Sequence, residues 1–156
     1  LYNTLLFLSR NIFFYKKIKL SDNFETRLYL MFMHFSIILI IFKKKNLKFN
    51  QKIYYLFFYN IENNLRELGF GDVSVNQKMK EFNRILYDIL LKIEQKKALK
   101  NNFKIDHKLI IKYFPELKNE KSAQFSDFES YYIDFYDFCF EQTADNMIRE
   151  AINFKY

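Results

Sequence analysis

Only two glycines and one proline occur in the 156 residues of this chain, with one cysteine, two histidines and no tryptophan. The scarcity of Gly and Pro removes the turn-rich vocabulary of β-sandwiches, propellers and glycine-looped nucleotide folds, and leaves helices. A lone Cys139 excludes an intramolecular disulfide framework and any multi-cysteine zinc or iron–sulfur site, and it fits a reducing compartment. The residues three before His34 and His107 are Met31 and Lys104, so the Glu-x-x-His pairs that a di-iron helical bundle needs are missing. A zinc site would have to recruit His34, His107 and Cys139 from three distant segments. Gly69 and Gly71 spell only half of a dinucleotide fingerprint, and they follow a helical pattern rather than a strand. No nucleophile elbow is present, and Asp134 with Asp137 reads as an acidic pair on a solvated face rather than a general acid and base. The expectation is a protein that is not an enzyme and carries neither metal nor cofactor.

What the sequence does contain is apolar and aromatic: 50% of its residues are hydrophobic and 21% aromatic. A chain of this length buries roughly 70% of its unfolded surface around one core. The expected fold is all-α, a single-domain helical bundle over residues 1–156 with about six to seven helices around a buried central apolar helix. The net charge of +7 is unevenly placed. Residues 1–112 hold 21 Lys and Arg against 9 Asp and Glu, and residues 113–156 hold 4 against 9. Residues whose codons are rich in A and T account for 88 of the 156, which discounts the lysine excess but not its polarity along the chain. A basic body beside an acidic tail either pairs within the fold or presents a basic binding face.

Helical periodicity organises most of the chain. Residues 2–19 carry a short pattern through Leu5, Leu6, Leu8, Ile12 and Phe13 that decays into Lys16, Lys17 and Lys19, and Asp22 is placed to cap the next helix. Leu28–Phe42 is apolar all round, with His34 and Ser36 as its polar interruptions. Its 15 residues would span about 22 Å, short of the ~30 Å of a bilayer core, so it is read as a buried helix. Lys43, Lys44 and Lys45 follow, where they complement a helix C-terminus or contact phosphates.

Tyr54, Phe57, Phe58, Ile61, Leu65 and Leu68 draw one stripe on a helix that Gly69 terminates. Ser74 with Gln77 spells a capping box that starts the next helix at Val75, with Met79, Phe82, Ile85, Leu86, Ile89, Leu90 and Ile93 buried. These two helices are expected to form an antiparallel hairpin. Beyond Lys100, Ile105, Leu109, Ile110 and Phe114 give a shorter helix bounded by Pro115. Ser126 with Glu129 spells a second capping box, and a last helix runs from there almost to the terminus with a bend near Thr143. His34 is expected as a hydrogen-bonded interior imidazole and Cys139 as a small apolar core residue. The chain opens at Leu1 rather than Met and is read as a trimmed domain, so a preceding targeting segment lies outside what it can tell.

The run Ile61–Leu90, IENNLRELGFGDVSVNQKMKEFNRILYDIL, contains Leu65, Arg66, Glu67, Leu68 and Gly69, a Gly71-Asp72 turn, Ser74-Val75, and the step Lys78-Met79-Lys80. In these features, and in Arg27 preceding the leucine-rich run that holds His34, the chain resembles the ubiquinol–cytochrome c chaperone family over most of residues 2–100. It departs where relatives continue with an Ala-Phe-Tyr-Gly-Arg kind of run: Ile85, Leu86, Tyr87, Asp88 and Ile89 keep the aromatic and lose the small and basic residues. The resemblance implies a helical assembly factor for the cytochrome bc1 complex that holds newly made cytochrome b. It implies cytochrome b or another bc1 subunit as partner and, from mitochondrial relatives, the ribosome, while the basic surface itself suits ribosomal RNA or an anionic membrane surface as further contacts. It also implies a place in the bacterial cytoplasm or on the cytoplasmic face of the inner membrane, with the matrix side of the mitochondrial inner membrane as the alternative. Arg66, Asp72, Lys78 and Lys80 at the corner are the expected partner-binding residues, with Lys43, Lys44 and Lys45 behind them. Two other readings stand beside it: a basic helical RNA- or ribosome-binding module, and a small-molecule enzyme or lipid-processing protein with its pocket among the aromatics around His34 and Tyr87.

Overall fold

The computed structural model of the chain describes residues 1–95 and 103–156. Within them the backbone forms α1 (Tyr2–Ser9), α2 (Phe24–Lys44), α3 (Gln51–Glu67), α4 (Asp72–Gln95), α5 (His107–Tyr113), α6 (Ala123–Phe140) and α7 (Ala144–Glu150), with no strand among the described residues. The all-α expectation and the helix number agree with this architecture. The change of pattern expected at Lys100 lies outside the described residues.

Local chemistry sets most of the helix ends, and in several places it corrects the sequence expectation. α1 stops at Ser9, and the chain continues as a π-helical turn over Phe13–Lys17 rather than as one helix to residue 19. Asn23, not Asp22, caps α2: its side chain accepts a hydrogen bond from the Thr26 amide, while Asp22 pairs with Arg27. α2 closes on Asn46, whose φ of 54° is the left-handed conformation asparagine tolerates, with Leu47 N–H on the Phe42 carbonyl and Asn46 N–H on that of Lys43.

The same double bond ends α3. Gly69 has a φ of 93°, Phe70 N–H reaches the Leu65 carbonyl and Gly69 N–H that of Arg66. Leu68, expected in the buried stripe, falls beyond the last helical turn and is 59% exposed. α4 starts at Asp72 rather than Val75, because the Gly71 carbonyl already accepts the Val75 amide. α6 starts at Ala123 with Ser122 as its cap, so Ser126 lies inside the helix. Near Thr143 the expected bend is a break between α6 and α7.

α2 is the axis of the bundle. It runs 21 residues, six more than its apolar stretch, because the helix also accepts the polar residues at both ends. At ~1.5 Å per residue it is about 30 Å long, so length and composition would let it cross a bilayer. Burial, not shortness, identifies it as a core helix: 72% of its most apolar window is covered by protein. α1, α4 and α6 pack around it.

Two aromatic clusters cover opposite sides of α2. Phe32 and Phe35 meet Phe57 and Phe58 of α3, and Phe32 also meets Phe82 of α4. On the other side His34 is ringed by Phe14, Tyr131, Tyr132 and Phe135. Residues 32 and 34 lie 200° apart on a helix, which is why this segment has no polar face.

α5 is tied back to α4 by one carboxylate. Asp88 accepts from Lys112 at 2.8 Å and Lys92 at 3.1 Å, and from the Tyr113 hydroxyl. Partial burial would raise its pKa, and the three donors outweigh that and hold it at about 2 against an ordinary 3.8. A lowered carboxylate pKa contributes stability that is complete above the ordinary value and lost as the pH falls toward the folded one. Asp88→Asn is expected to cost about 1–2 kcal/mol at pH 7, allowing for solvent screening of this partly exposed group. Urea unfolding across pH checks it: the difference from wild type is expected to be largely gone by pH 2.

Candidate functional site

The corner between α3 and α4 is built tightly around Arg66. Its guanidinium pairs with Glu62 one turn earlier, at 3.0 Å, and with Asp72 across the corner. Lys78 sits 5.0 Å from the centre of the Phe70 ring, a cation–π contact that folds the corner's aromatic against α4. Lys80 is exposed and makes no hydrogen bond or ion pair with a described residue. Two positions after Lys78, it projects from another side of α4. The structure therefore gathers Arg66, Asp72 and Lys78 at the corner and sets Lys80 on the outer face of the helix.

Lys43, Lys44 and Lys45 lie at the far end of α2. Because α3 runs antiparallel to α2, the corner stands beside Phe24, Arg27 and Leu28, a helix length of about 30 Å from the lysines. Lys44 donates to the Tyr136 hydroxyl at 3.0 Å and Lys45 to the Gln142 carbonyl at 2.8 Å, and each ammonium lies over an aromatic ring of α6. They join the ends of α2 and α6 and do not extend the corner. Lys17 likewise pairs with Asp127, at 3.6 Å. Part of the charge polarity along the chain is thus used within the fold.

The hairpin carries a second feature that the sequence reading passed over. Tyr55, Tyr59, Glu62 and Arg66 follow one another at steps of four, three and four along α3, on the side away from the buried stripe. On α4, Lys80, Arg84, Tyr87 and Leu91 follow at the same steps, with Val73 two turns earlier. Tyr55, Tyr59, Val73, Tyr87 and Leu91 are each more than half exposed. α3 and α4 pack against each other, so the two stripes lie on neighbouring helices. Burial first, and Tyr87 second, push the Tyr54 pKa up. The outer face of the hairpin is therefore aromatic and aliphatic, with Lys80 and Arg84 among the apolar side chains. Tyr55 and Tyr59 on α3, and Tyr87 and Leu91 on α4, each stand one turn apart opposite the core stripe, and that spacing was a readable signal for it.

His34 and Tyr87 do not share a site. His34 is fully buried, while Tyr87 is 56% exposed on the outer face of α4. The Leu30 carbonyl at 2.6 Å can only accept, so Nδ1 of His34 carries the proton and Nε2 accepts from the Tyr131 hydroxyl at 2.9 Å. Burial lowers the imidazole pKa to about 3, so the ring is neutral. Cys139 is also fully buried, and burial raises its thiol to about 12, which makes it a core residue rather than a nucleophile. Among the described residues no group of three or more His, Cys, Asp or Glu side chains is arranged to hold a metal ion.

The described residues thus form a helical body whose α3–α4 hairpin exposes tyrosines, Val73 and Leu91 beside Lys80 and Arg84, a surface of the kind that other polypeptides dock on. The family model for the ubiquinol–cytochrome C chaperone matches residues 16–104, which is α2, α3 and α4 with their flanks. This chain belongs to that family, and its role is thereby in the assembly of the ubiquinol–cytochrome c reductase, or bc1, complex. No curated protein and no solved structure matches it.

Proposed function

We propose that this protein holds an apolar segment of newly made cytochrome b against the outer face of the α3–α4 hairpin, on the side of the membrane from which cytochrome b is inserted. The observation that carries the reading is the position of that face. The exposed apolar side chains Tyr55, Tyr59, Tyr87 and Leu91 lie in the stretch that defines the family. A client of transmembrane helices presents long apolar faces, and an open ridge of tyrosines and leucines accepts such a face with little loss of side-chain freedom. Lys80 and Arg84 supply a salt-sensitive attraction to acidic flanks or to anionic headgroups.

Deleting the gene is expected to lower cytochrome b and bc1 activity together, and normal levels of both would overturn the assembly role. A photo-crosslinking amino acid at Tyr59 or Tyr87 is expected to capture cytochrome b. The same group at Asp134, exposed on α6, is the control and is expected to capture none. Capture from Asp134 alone would move the client to another face.

A further inference from the structure

A pocket of about 400 Å³ opens where the end of α1, the start of α2 and the end of α3 converge, and the client reading makes no use of it. Its volume falls within the ~300–1,000 Å³ of small-ligand sites. Leu28, Met31 and Ile61, all buried, form an apolar floor, and Leu6 and the exposed Leu68 extend it to the opening. At the back, Asn64 donates to the Tyr2 hydroxyl, so the polar groups there are already partnered.

The rim carries the charge. Arg27 is held by Asp22, whose side chain is 67% exposed. Arg10 is exposed and makes no ion pair with any described residue. The backbone amides at the start of α2 add a partial positive charge on the same side, beside Phe24 and Arg27. Glu67 is the one carboxylate in the lining, and it pairs with neither arginine.

We propose that this pocket binds a single-chain anionic amphiphile, with the acyl chain on Leu28, Met31, Ile61 and Leu68 and the headgroup between Arg10 and Arg27. An apolar floor with a guanidinium at its edge that no described residue pairs complements a greasy chain that ends in negative charge. A neutral chain leaves Arg10 as it is, and a cationic one sets a second positive charge beside Arg10 with Glu67 alone in the lining to offset it. Fatty carboxylates and lysophospholipids share this chemistry.

Isothermal titration of the full chain with dodecanoate below its micelle concentration tests the site. One molecule is expected to bind saturably, and dodecyl maltoside at least tenfold more weakly. Shortening the chain from twelve to ten and eight carbons is expected to weaken binding by up to about fourfold per methylene. Arg10→Gln is expected to weaken it about tenfold, by removing a charged hydrogen bond. Leu68→Asp is expected to do at least the same, and Glu67→Gln to tighten it several-fold by removing the opposing charge. All three positions are exposed, so melting curves are expected to match the wild type. Lauroyl lysophosphatidate binding more tightly than dodecanoate assigns the site to a phospholipid source, and the reverse order to a free fatty acid. Non-saturable uptake, equal affinity for the maltoside, or indifference to both Arg10→Gln and Glu67→Gln would overturn the proposal. Because the readout is ligand affinity, it stands or falls separately from cytochrome b capture.

Discussion

Lowering the pH from 7 to 4.5 is expected to cost this fold about 2–3 kcal/mol through His34 alone. The imidazole has an ordinary pKa of 6.5 and a folded value of about 3, the shift arising first from burial, with the Leu30 hydrogen bond opposing it. Above pH 6.5 the ring is neutral in both states and contributes no pH dependence. Below it the unfolded chain takes up the proton and the folded one does not, so stability falls as the pH drops toward 3. The sign follows from which state binds more protons. His34→Gln is expected to be less stable at pH 7, because it disturbs a ring packed among Phe14, Tyr131, Tyr132 and Phe135. It is also expected to lose this part of the acid slope. Urea midpoints for wild type and variant at half-unit steps between pH 7 and 4.5 provide the check. Parallel curves would mean that the imidazole is not held neutral by its surroundings.

Tyr131→Ala is expected to cost about 4 kcal/mol, a large share of the 5–15 kcal/mol by which domains are stable. The ring stacks on Phe13 at 5.3 Å and meets Phe14, Tyr132 and Phe154 edge-on, so its removal leaves a cavity at the junction of α2, α6 and the C-terminal segment. The hydroxyl separates from the ring in the conservative variant. Tyr131→Phe keeps the packing and leaves Nε2 of His34 without its donor, at an expected cost of about 1–3 kcal/mol. Urea unfolding of the two variants, compared with wild type, divides the contribution of packing from that of the buried hydrogen bond. Equal losses would show that the hydroxyl rather than the ring anchors this junction.

The hairpin that carries the proposed client face was legible in the sequence because two signals agree there. A stripe at steps of three and four marks the buried side of α3, and a glycine stands where the left-handed cap is needed. The helix starts were less legible. Ser74 with Gln77 and Ser126 with Glu129 satisfy the spelling of a capping box, yet helices begin earlier wherever an upstream residue can accept the first free amides, as the Ser122 side chain and the Gly71 backbone do. The length of α2 escaped because counting apolar residues omits the Asn23 cap, Glu25 and the terminal lysines, all of which a helix end favours.

The corner residues divided in the same way. Arg66, Asp72 and Lys78 are neighbours because one short turn joins them. Lys43, Lys44 and Lys45 are remote because the antiparallel return of α3 carries the chain a full helix length away, which no local pattern records. The exposed tyrosines went unread for another reason. A search for the face that goes inside discards whatever lies opposite, and Tyr55 and Tyr59 lie there.

The apolar axis of this bundle imposes an order on its own biosynthesis. α2 is made as a 21-residue stretch apolar enough to be taken for a membrane anchor, while Tyr131, Tyr132 and Phe135, which shield its histidine side, lie 87 to 91 codons beyond its last residue. Until α6 emerges, the nascent chain exposes an apolar stretch of membrane-spanning length on its histidine side. The covering of α2 therefore waits on helices made after it, α6 among the last.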